Sequence, residues 1–326
     1  MKLRLESVFA FLLSSAALSV SLGCQVGCIE DASGTRCTAK SLAQFQGQPS
    51  APVQLDRAPG APVTVDVLYG NVLVQRSTSG KVEVQFFPFV YAGHDEKAAA
   101  DQQLAQNLRT TASAAGGVSV TVRREGGTNG LGADAVVKLP DDFDGVLTVV
   151  NQGGGPLNNF NVKVEFVGRA SALAITNQSQ LGNCWVQGAP SVRSTTVQCG
   201  EDISVFDVSD ELNINNTETM HDAQTPAVTL RLAAVSPNGR GGKVTTASGG
   251  IAATFPRAGG YVLNAKSPVK GAVQEGPLPP NCAKQEAGPN AKTISCGTGP
   301  AYELTAGAAP NYVGQPEDSN VALSYL

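Results

Sequence analysis

Valine alternates with polar residues along much of this 326-residue chain, and this pattern constrains the fold more than any other feature. The segment VTVDV at 63–67 leads to a turn at Gly70-Asn71 and VLV at 72–74, and a turn at Ser79-Gly80 leads to VEVQF at 82–86. A period of two places successive side chains on opposite faces of a strand, which predicts half-buried strands. The pattern returns at 118–122, 162–166, 203–208 and 228–232. The sequence therefore predicts an all-β fold of short strands joined by tight turns.

Composition agrees with this fold and restricts the partners. The chain has 36 Gly and 19 Pro, and only 15% of its residues are charged, which is typical of many short strands and turns. One segment, EKAAADQQLAQNLRTTAS at 96–113, is rich in Ala, Gln and Leu and predicts a helix across one face or edge of the strands. The net charge of -4 gives no excess of Lys and Arg for a phosphate backbone. We therefore expect no nucleic-acid partner.

The first 23 residues have the features of an export signal. Lys2 and Arg4 precede an apolar run at 8–22 that has no stop-transfer flank. The end of this run, Gly23-Cys24, resembles the bacterial lipoprotein signal, in which the cysteine carries a diacylglyceryl chain and becomes the mature N-terminus. The resemblance implies that a lipid on Cys24 holds the protein to the outer membrane of the cell. The alternative is ordinary signal cleavage, with Cys24 in a disulfide and a periplasmic or secreted protein.

The cysteine count supports a separate role for Cys24. The chain has seven cysteines, which leaves one unpaired in an oxidising compartment. The other six form three couples that are close in sequence, namely Cys28 with Cys37, Cys184 with Cys199, and Cys282 with Cys296. Six cysteines allow fifteen pairings, and proximity favours this one. The spacing does not fit zinc, so we expect no metal site and no cofactor.

These features divide the chain into three parts. Residues 1–23 are the signal peptide, 24–62 the anchor and a tether, and 63–326 the folded domain. The tether prediction rests on residues 38–62, which are rich in Ala, Gln, Pro and Gly with little periodicity and indicate an extended arm.

The folded part resembles a known family. The segments that carry the likeness are VTVDVLYGNVLVQRSTSGKVEVQFFP, VSVTVRREGG, ADAVVKLPDDFDGVLTVVNQGGG and GGKVTTASGGIAATFP, which lie within residues 63–305. They are similar to the DUF4097 family of adhesin-type bacterial extracytoplasmic proteins, which shows Gly-x-Val-x-Val repeats and a Leu-Pro before a turn. The resemblance implies a right-handed β-helix or solenoid-like stack of short strands. The three disulfides follow from the cysteine count and are a departure from the family. A β-sandwich is the competing architecture.

The sequence contains few groups that could carry catalysis. His94-Asp95 and His221-Asp222 lack a nucleophile elbow, and adjacent strand residues point to opposite faces, so we interpret both as loop residues. DDFDG at 141–145 has three carboxylates but lacks the remaining ligands of a calcium loop, and it follows Leu-Pro as a turn would. An acidic cluster within 201–211 is typical of a solvated face and comprises Glu201, Asp202, Asp207, Asp210 and Glu211. We therefore predict no catalytic residues.

The only tryptophan, Trp185, is the aromatic residue of greatest interest. It follows Cys184 and either packs on the disulfide or stands exposed as a contact for a sugar or a protein. Together these features predict a non-enzymatic envelope lipoprotein with a β-rich binding surface, in adhesion, cell contact or a surface motility or envelope complex, whose protein or polysaccharide partner is unknown. A polysaccharide lyase or hydrolase on a β-helix, with carboxylates and Arg from different coils in a cleft, is one alternative. A structural envelope protein is the other.

Overall fold

The computed structural model describes most of the chain. The described residues are 24–31, 34–93, 97–125, 130–153, 159–188, 192–208, 211–218, 225–268, 271–307 and 319–326, with side chains from residue 44 onward except at 92 and 93. Nearly all of the regular structure is β-strand.

The strands are short and follow one another closely. The first thirteen are β1 Cys24–Asp31, β2 Gly34–Gln46, β3 Val53–Leu55, β4 Val63–Val67, β5 Val72–Arg76, β6 Val82–Gly93, β7 Leu108–Ser113, β8 Val118–Arg124, β9 Leu131–Leu139, β10 Val146–Asn151, β11 Val162–Val164, β12 Ala172–Asn177 and β13 Cys184–Gln187. The others are β14 Ser194–Cys199, β15 Ile203–Phe206, β16 Glu211–Asn216, β17 Val228–Arg231, β18 Gly241–Thr246, β19 Ile251–Phe255, β20 Tyr261–Lys266, β21 Val273–Glu275, β22 Cys282–Glu286, β23 Ala291–Cys296, β24 Ala301–Thr305 and β25 Val321–Tyr325. One helix, α1 Lys97–Asn107, lies between β6 and β7.

Within the parallel stack the chain alternates between two sheets, so that each coil gives one strand to each. The first sheet has the order β1-β2-β6-β9-β5-β11-β13-β15-β17-β19-β25-β21, with β3 paired to β6. The second has the order β22-β23-β20-β24-β18-β16-β14-β12-β10-β4-β8-β7. From β9 to β21 and from β8 to β20 all neighbours are parallel. Parallel pairing of successive coils confirms the solenoid-like stack and not the antiparallel β-sandwich.

The alternation found in the sequence is the burial pattern of the strands. In β4 the three valines are fully buried and the two polar residues between them are partly exposed. Because the strands are in register, equivalent inward residues stack from coil to coil, as Val65, Val149, Ile175 and Val197 do in the second sheet. A fully buried side chain of this kind contributes about 1.5 to 3 kcal/mol before chain entropy is subtracted. The stack therefore has one continuous apolar interior.

Buried asparagines hold the corners that follow three strands of the second sheet, namely β10, β12 and β16. Asn151 and Asn177 pair directly in the parallel register, and Asn216 occupies the same position two coils further on. Each side-chain amide donates to a backbone carbonyl of the corner, with distances of 2.8, 2.9 and 2.7 Å to Gly70, Phe160 and Glu201. Each Oδ1 accepts the backbone N–H two residues later. The ladder thus satisfies corner groups that would otherwise lie unpaired in the interior.

Two coils lie out of sequence order. The coil β8/β9 stacks outside β4/β5, although it follows that coil in the chain. At the other end, β24 inserts between β18 and β20, and β25 inserts between β19 and β21. Gly241, at the start of β18, has a φ of 78°, and a Cβ there would collide with the carbonyl of Ala301. Glycine is therefore required where the last coil meets its neighbour.

The segment from residue 24 to residue 55 joins the first sheet, ahead of the predicted start of the domain at residue 63. β1 and β2 form an antiparallel hairpin, and the end of β2 pairs with β6, as does β3. Residues 38–62, predicted as an extended arm, therefore include backbone that is hydrogen-bonded to the sheet. The division of the chain at residue 62 and the right-handed coil stay predictions.

The helix is shorter than the sequence indicated. Its predicted range was 96–113, but it ends at Asn107, and β7 follows as an antiparallel neighbour of β8. Thr110 and Thr111 favour a strand because they are β-branched, and β8 offers them a free edge. Ala100 of α1 packs with Val90 and Leu131, so the helix covers apolar residues at this end of the stack.

Candidate functional site

Four side chains form a row on the outer face of the first sheet. They come from the adjacent strands β11, β13, β15 and β17, and they are Lys163, Trp185, Phe206 and Arg231. The Lys163 ammonium lies 5.1 Å from the centre of the Trp185 ring, and the Arg231 guanidinium lies 5.3 Å from that of Phe206. The two rings are 6.1 Å apart and tilted by 56°. We call this set the cation–aromatic row.

The register of the strands builds this row. Lys163 pairs directly with Trp185, and Phe206 pairs directly with Arg231. Trp185 pairs with Ser204, so Phe206 is its diagonal neighbour, a distance that aromatic side chains can bridge. Each member occupies an outward position beside inward apolar residues, and each is partly or fully exposed.

Carboxylates hold both cations of the row. Glu165 lies 2.6 Å from the Lys163 ammonium and also accepts a hydrogen bond from Gln75 at 3.3 Å. Asp207 accepts two bonds from the Arg231 guanidinium, at 3.1 and 2.8 Å. A bidentate pair fixes the plane of the guanidinium as well as its position. The row is therefore ordered before any partner arrives.

Trp185 packs on Phe206 and not on the disulfide. Cys184 and Cys199 are buried in the core and bonded to each other, whereas Trp185, the next residue along β13, points to the opposite face. The sequence singled out Trp185 because it is the only tryptophan. It gave no indication of Lys163, Phe206 or Arg231, because their proximity depends on the pairing of strands far apart in the chain.

Two of the three predicted disulfides are present. Cys184 bonds to Cys199 and Cys282 bonds to Cys296, which confirms both couples. Cys28 and Cys37 are direct cross-strand partners in the β1–β2 hairpin, but their side chains lie outside the described part of the chain, so this bond stays a prediction. Cys24 is the first residue of β1, and its lipidation stays a prediction for the same reason.

The acidic cluster does not form one site within the described residues. Asp207 bonds Arg231 in the row, and Glu211 pairs with Arg240 at 3.2 Å. Asp210 lies outside the described residues, as do His94-Asp95 and His221-Asp222. The lyase or hydrolase alternative requires carboxylates and Arg in a cleft, whereas the ion pairs of Asp207 and Glu211 join side chains that are partly or fully exposed.

The carboxylates of the 141–145 turn bind an arginine. Arg57 donates to Asp144 at 2.7 Å and to the backbone carbonyl of Asp142 at 2.6 Å, and its guanidinium lies 5.3 Å from the Phe143 ring. The Gly60 N–H and the Arg57 guanidinium hold the pKa of Asp144 below its ordinary value. This turn therefore fastens the segment before β4 to the stack. Across the described residues no group of three His, Cys, Asp or Glu side chains could hold a metal ion.

Asp134 is a buried acidic residue with a raised pKa. It lies in β9, and its Oδ1 accepts the Asn71 backbone N–H at 2.7 Å and the Asn71 side-chain amide at 3.0 Å. Burial raises the pKa of Asp134 to about 6, in spite of these two hydrogen bonds. Burial, together with the charge of Asp134, raises the pKa of Tyr91 to about 12.

The strands thus define a two-sheet parallel β-solenoid with a built row of aromatic and charged residues on one outer face. No family model matches this chain, and no curated protein matches it. It is similar to the structure of a candidate cell adhesion protein from Clostridium sporogenes, with 7% identity and a TM-score of 0.29, over 87% of this chain and 100% of that one. A candidate adhesin from Bacteroides fragilis gives 11% identity and a TM-score of 0.24, over 87% and 97%. Neither TM-score reaches 0.5.

Proposed function

We propose that this chain is a non-catalytic, surface-displayed binding protein that holds a partner protein on its cation–aromatic row. The observation that carries the proposal is the row itself, in which Trp185 and Phe206 lie side by side between Lys163 and Arg231 on the outer face of the first sheet. Trp and Arg are the residues most enriched at the energetic centres of protein interfaces. An outer strand face that only has to be soluble does not require them.

A protein partner fits the row better than a stacked sugar. The ring of Trp185 already has the Lys163 ammonium over it, and the ring of Phe206 has the Arg231 guanidinium over it. A sugar would have to displace these cations to stack on the rings. A protein surface can contact the edges of the rings and pair with the charged ends at the same time, and the ordered side chains reduce the entropy that binding costs.

The anchor in this proposal is a lipid on Cys24. β1 begins at Cys24 and pairs with β2, which joins the first sheet at β6. Trp185 in β13 is five strand spacings from β2, roughly 24 Å at the usual separation of strands. Within the described residues no helix has the length and apolar character to span a membrane. The row would therefore be displayed away from a lipid-held end, as adhesion or cell contact requires.

The binding proposal is tested with cells that carry the full chain with Trp185→Ala. The matched control is Thr176→Ala, which changes a partly exposed residue on the opposite face of the same coil. Attachment to cells that lack the chain is measured at equal surface amounts, determined by antibody labelling of intact cells. We expect the first variant to attach as poorly as cells without the chain and the second to attach like wild type. Wild-type attachment by the Trp185→Ala cells, or no loss in cells without the chain, would refute the proposal.

The anchor is tested by intact mass spectrometry of the mature protein extracted from its own membranes. We expect a mass that begins at Cys24 and includes a lipid, and a Cys24→Ser variant that leaves the membrane fraction. Reduction should add about six hydrogens, because three disulfides open. A lipid-free mass that begins elsewhere contradicts the anchor and leaves the binding proposal intact.

A further inference from the structure

A small cavity opens on the outer face of the second sheet, at the end where the last coil is inserted. Its volume is about 230 Å³, and its polar lining residues are Asn264, Lys266, Lys292, Thr293 and Glu303. Glu303, Asn264 and Thr293 pair side by side on β24, β20 and β23. Ala287 and Ala291 also line the cavity, and their small side chains leave the space between the longer ones.

The hydrogen bonds of the cavity leave a defined set of donors and acceptors. The Thr293 hydroxyl donates to Asn264 Oδ1 at 3.0 Å. This bond orients the Asn264 amide so that its NH₂ group can donate to a ligand, and the Thr293 oxygen can still accept. The two sides of the cavity thus offer both polarities at adjacent points, as the hydroxyl groups of a sugar ring require.

Some charged side chains at the cavity form ion pairs and others do not. Lys292 forms an ion pair with Glu275, and Lys284 also bonds Glu275, at 2.7 Å. These bonds hold the pKa of Glu275 below its ordinary value. Lys266 and Glu303, in contrast, form no ion pair with any residue of the described part of the chain. The cavity therefore presents one ammonium and one carboxylate that are available to a ligand.

We propose that this cavity binds a single hexuronic acid unit, as the terminal residue of an acidic glycan. The carboxylate of the sugar pairs with Lys266, while Glu303 and the Thr293 oxygen accept from its hydroxyls and the Asn264 amide donates to them. The volume is below the range of about 300 to 1,000 Å³ that drug-sized ligands use, and so suits one ring. A neutral sugar leaves Lys266 without a partner. A dianionic phosphate meets about twice the repulsion from Glu303 that a singly charged uronate meets at the same distance.

The test is saturation-transfer NMR on the full chain with glucuronate, galacturonate, glucose and inorganic phosphate. We expect at least one uronate to bind at least tenfold more tightly than glucose, and Lys266→Met to abolish this preference. Glu303→Gln should weaken the binding of the uronate, and Ala291→Leu, which fills the cavity, should abolish it. The control is Lys97→Met, which changes an exposed lysine of α1 at the other end of the stack and should leave binding unchanged.

Three results overturn the proposal. They are equal binding of glucose and both uronates, a Lys266→Met variant that keeps the preference, and phosphate that displaces the uronate at equal concentration. The last result identifies a simple anion site. The row lies on the other sheet, so Trp185→Ala should bind the uronate like wild type. Failure of the cavity proposal and failure of the proposed adhesion are therefore distinguishable.

Discussion

Replacing one rung of the asparagine ladder should cost a large part of the stability of the stack. Asn177 is buried, and its amide donates to the carbonyls of Phe160 and Asn183 at 2.9 and 3.4 Å. Its Oδ1 accepts the Ser179 N–H at 3.1 Å. Asn177→Ala removes all three bonds and introduces no new partner. Phe160 and Ser179 are themselves buried, so water does not replace the lost bonds without a structural change.

The expected loss follows from the groups that are left unpaired. A buried backbone group without a hydrogen bond costs about 1 to 3 kcal/mol, and Asn177→Ala leaves two, the Ser179 N–H and the Phe160 carbonyl. The free energy of unfolding should therefore fall by about 2 to 6 kcal/mol, where partial relaxation of the corner gives the lower figure. Domains of ordinary stability have about 5 to 15 kcal/mol in total. The variant should thus unfold at a much lower urea concentration.

The assay is urea denaturation followed by far-ultraviolet circular dichroism, with the midpoint and the slope fitted together. The control Asn213→Ala removes an exposed asparagine on the outer face of β16 and should change the free energy of unfolding by no more than about 0.5 kcal/mol. Asn177→Asp separates hydrogen bonding from volume. It keeps the acceptor for Ser179 and nearly the same size, but it loses both donor bonds and adds a buried charge.

Asn177→Asp should therefore be at least as unstable as Asn177→Ala near neutral pH. If the Asp variant is as stable as wild type, the loss of donor bonds does not govern stability and the reasoning fails. A loss below about 1 kcal/mol in Asn177→Ala has the same meaning, because the corner then satisfies its groups in another way.

Three further changes test other parts of the fold. Thr195→Val replaces a fully buried hydroxyl that has no partner in the described structure by a methyl group, and should raise the free energy of unfolding by about 1 kcal/mol in the same urea assay. Wild type should lose stability relative to Asp134→Asn as pH rises from about 4 to about 6, because over this range the folded state still holds a proton on Asp134 that the unfolded state has lost. The free energies of unfolding of the two proteins are compared across this pH range. Parallel pH profiles would contradict the raised pKa. Replacing Cys184 and Cys199 together by Ala opens a loop of 15 residues and should lower the free energy of unfolding by about 2 to 4 kcal/mol, which is measured against reduced and oxidised wild type.

The strands could be predicted from the sequence, but their order could not. The alternation at 63–67 coincides with β4, because burial of one face is a local property of period two. The position of β8/β9 outside β4/β5, and the insertion of β24/β25, depend on pairings between residues far apart in the chain. The inward face of every strand in the stack carries a similar set of Val, Leu and Ile residues. The local pattern therefore does not specify which strand pairs with which.

The candidate site was predictable only at one residue, for the same reason. Trp185 is conspicuous as the single tryptophan, and its outward direction follows from the alternation around it. Lys163 comes from 22 positions earlier and Arg231 from 46 positions later, and only the register brings them to the same face. The asparagine ladder was not predicted, because Asn151, Asn177 and Asn216 are recognisable as one set only once the ends of the observed strands β10, β12 and β16 are aligned.

The outer faces of the stack tolerate amino-acid substitutions far better than the apolar interior does. This difference explains why both proposed sites lie on outer faces. Inward residues contact the coils before and after them, so a change of size at one coil strains its neighbours. Outward residues such as Trp185 and Glu303 meet mainly solvent and their lateral neighbours. New chemistry can therefore arise on either outer face without disturbing the core. Because the row and the cavity lie on different sheets, each can be altered while the other is kept, and one solenoid can hold two unlike ligands.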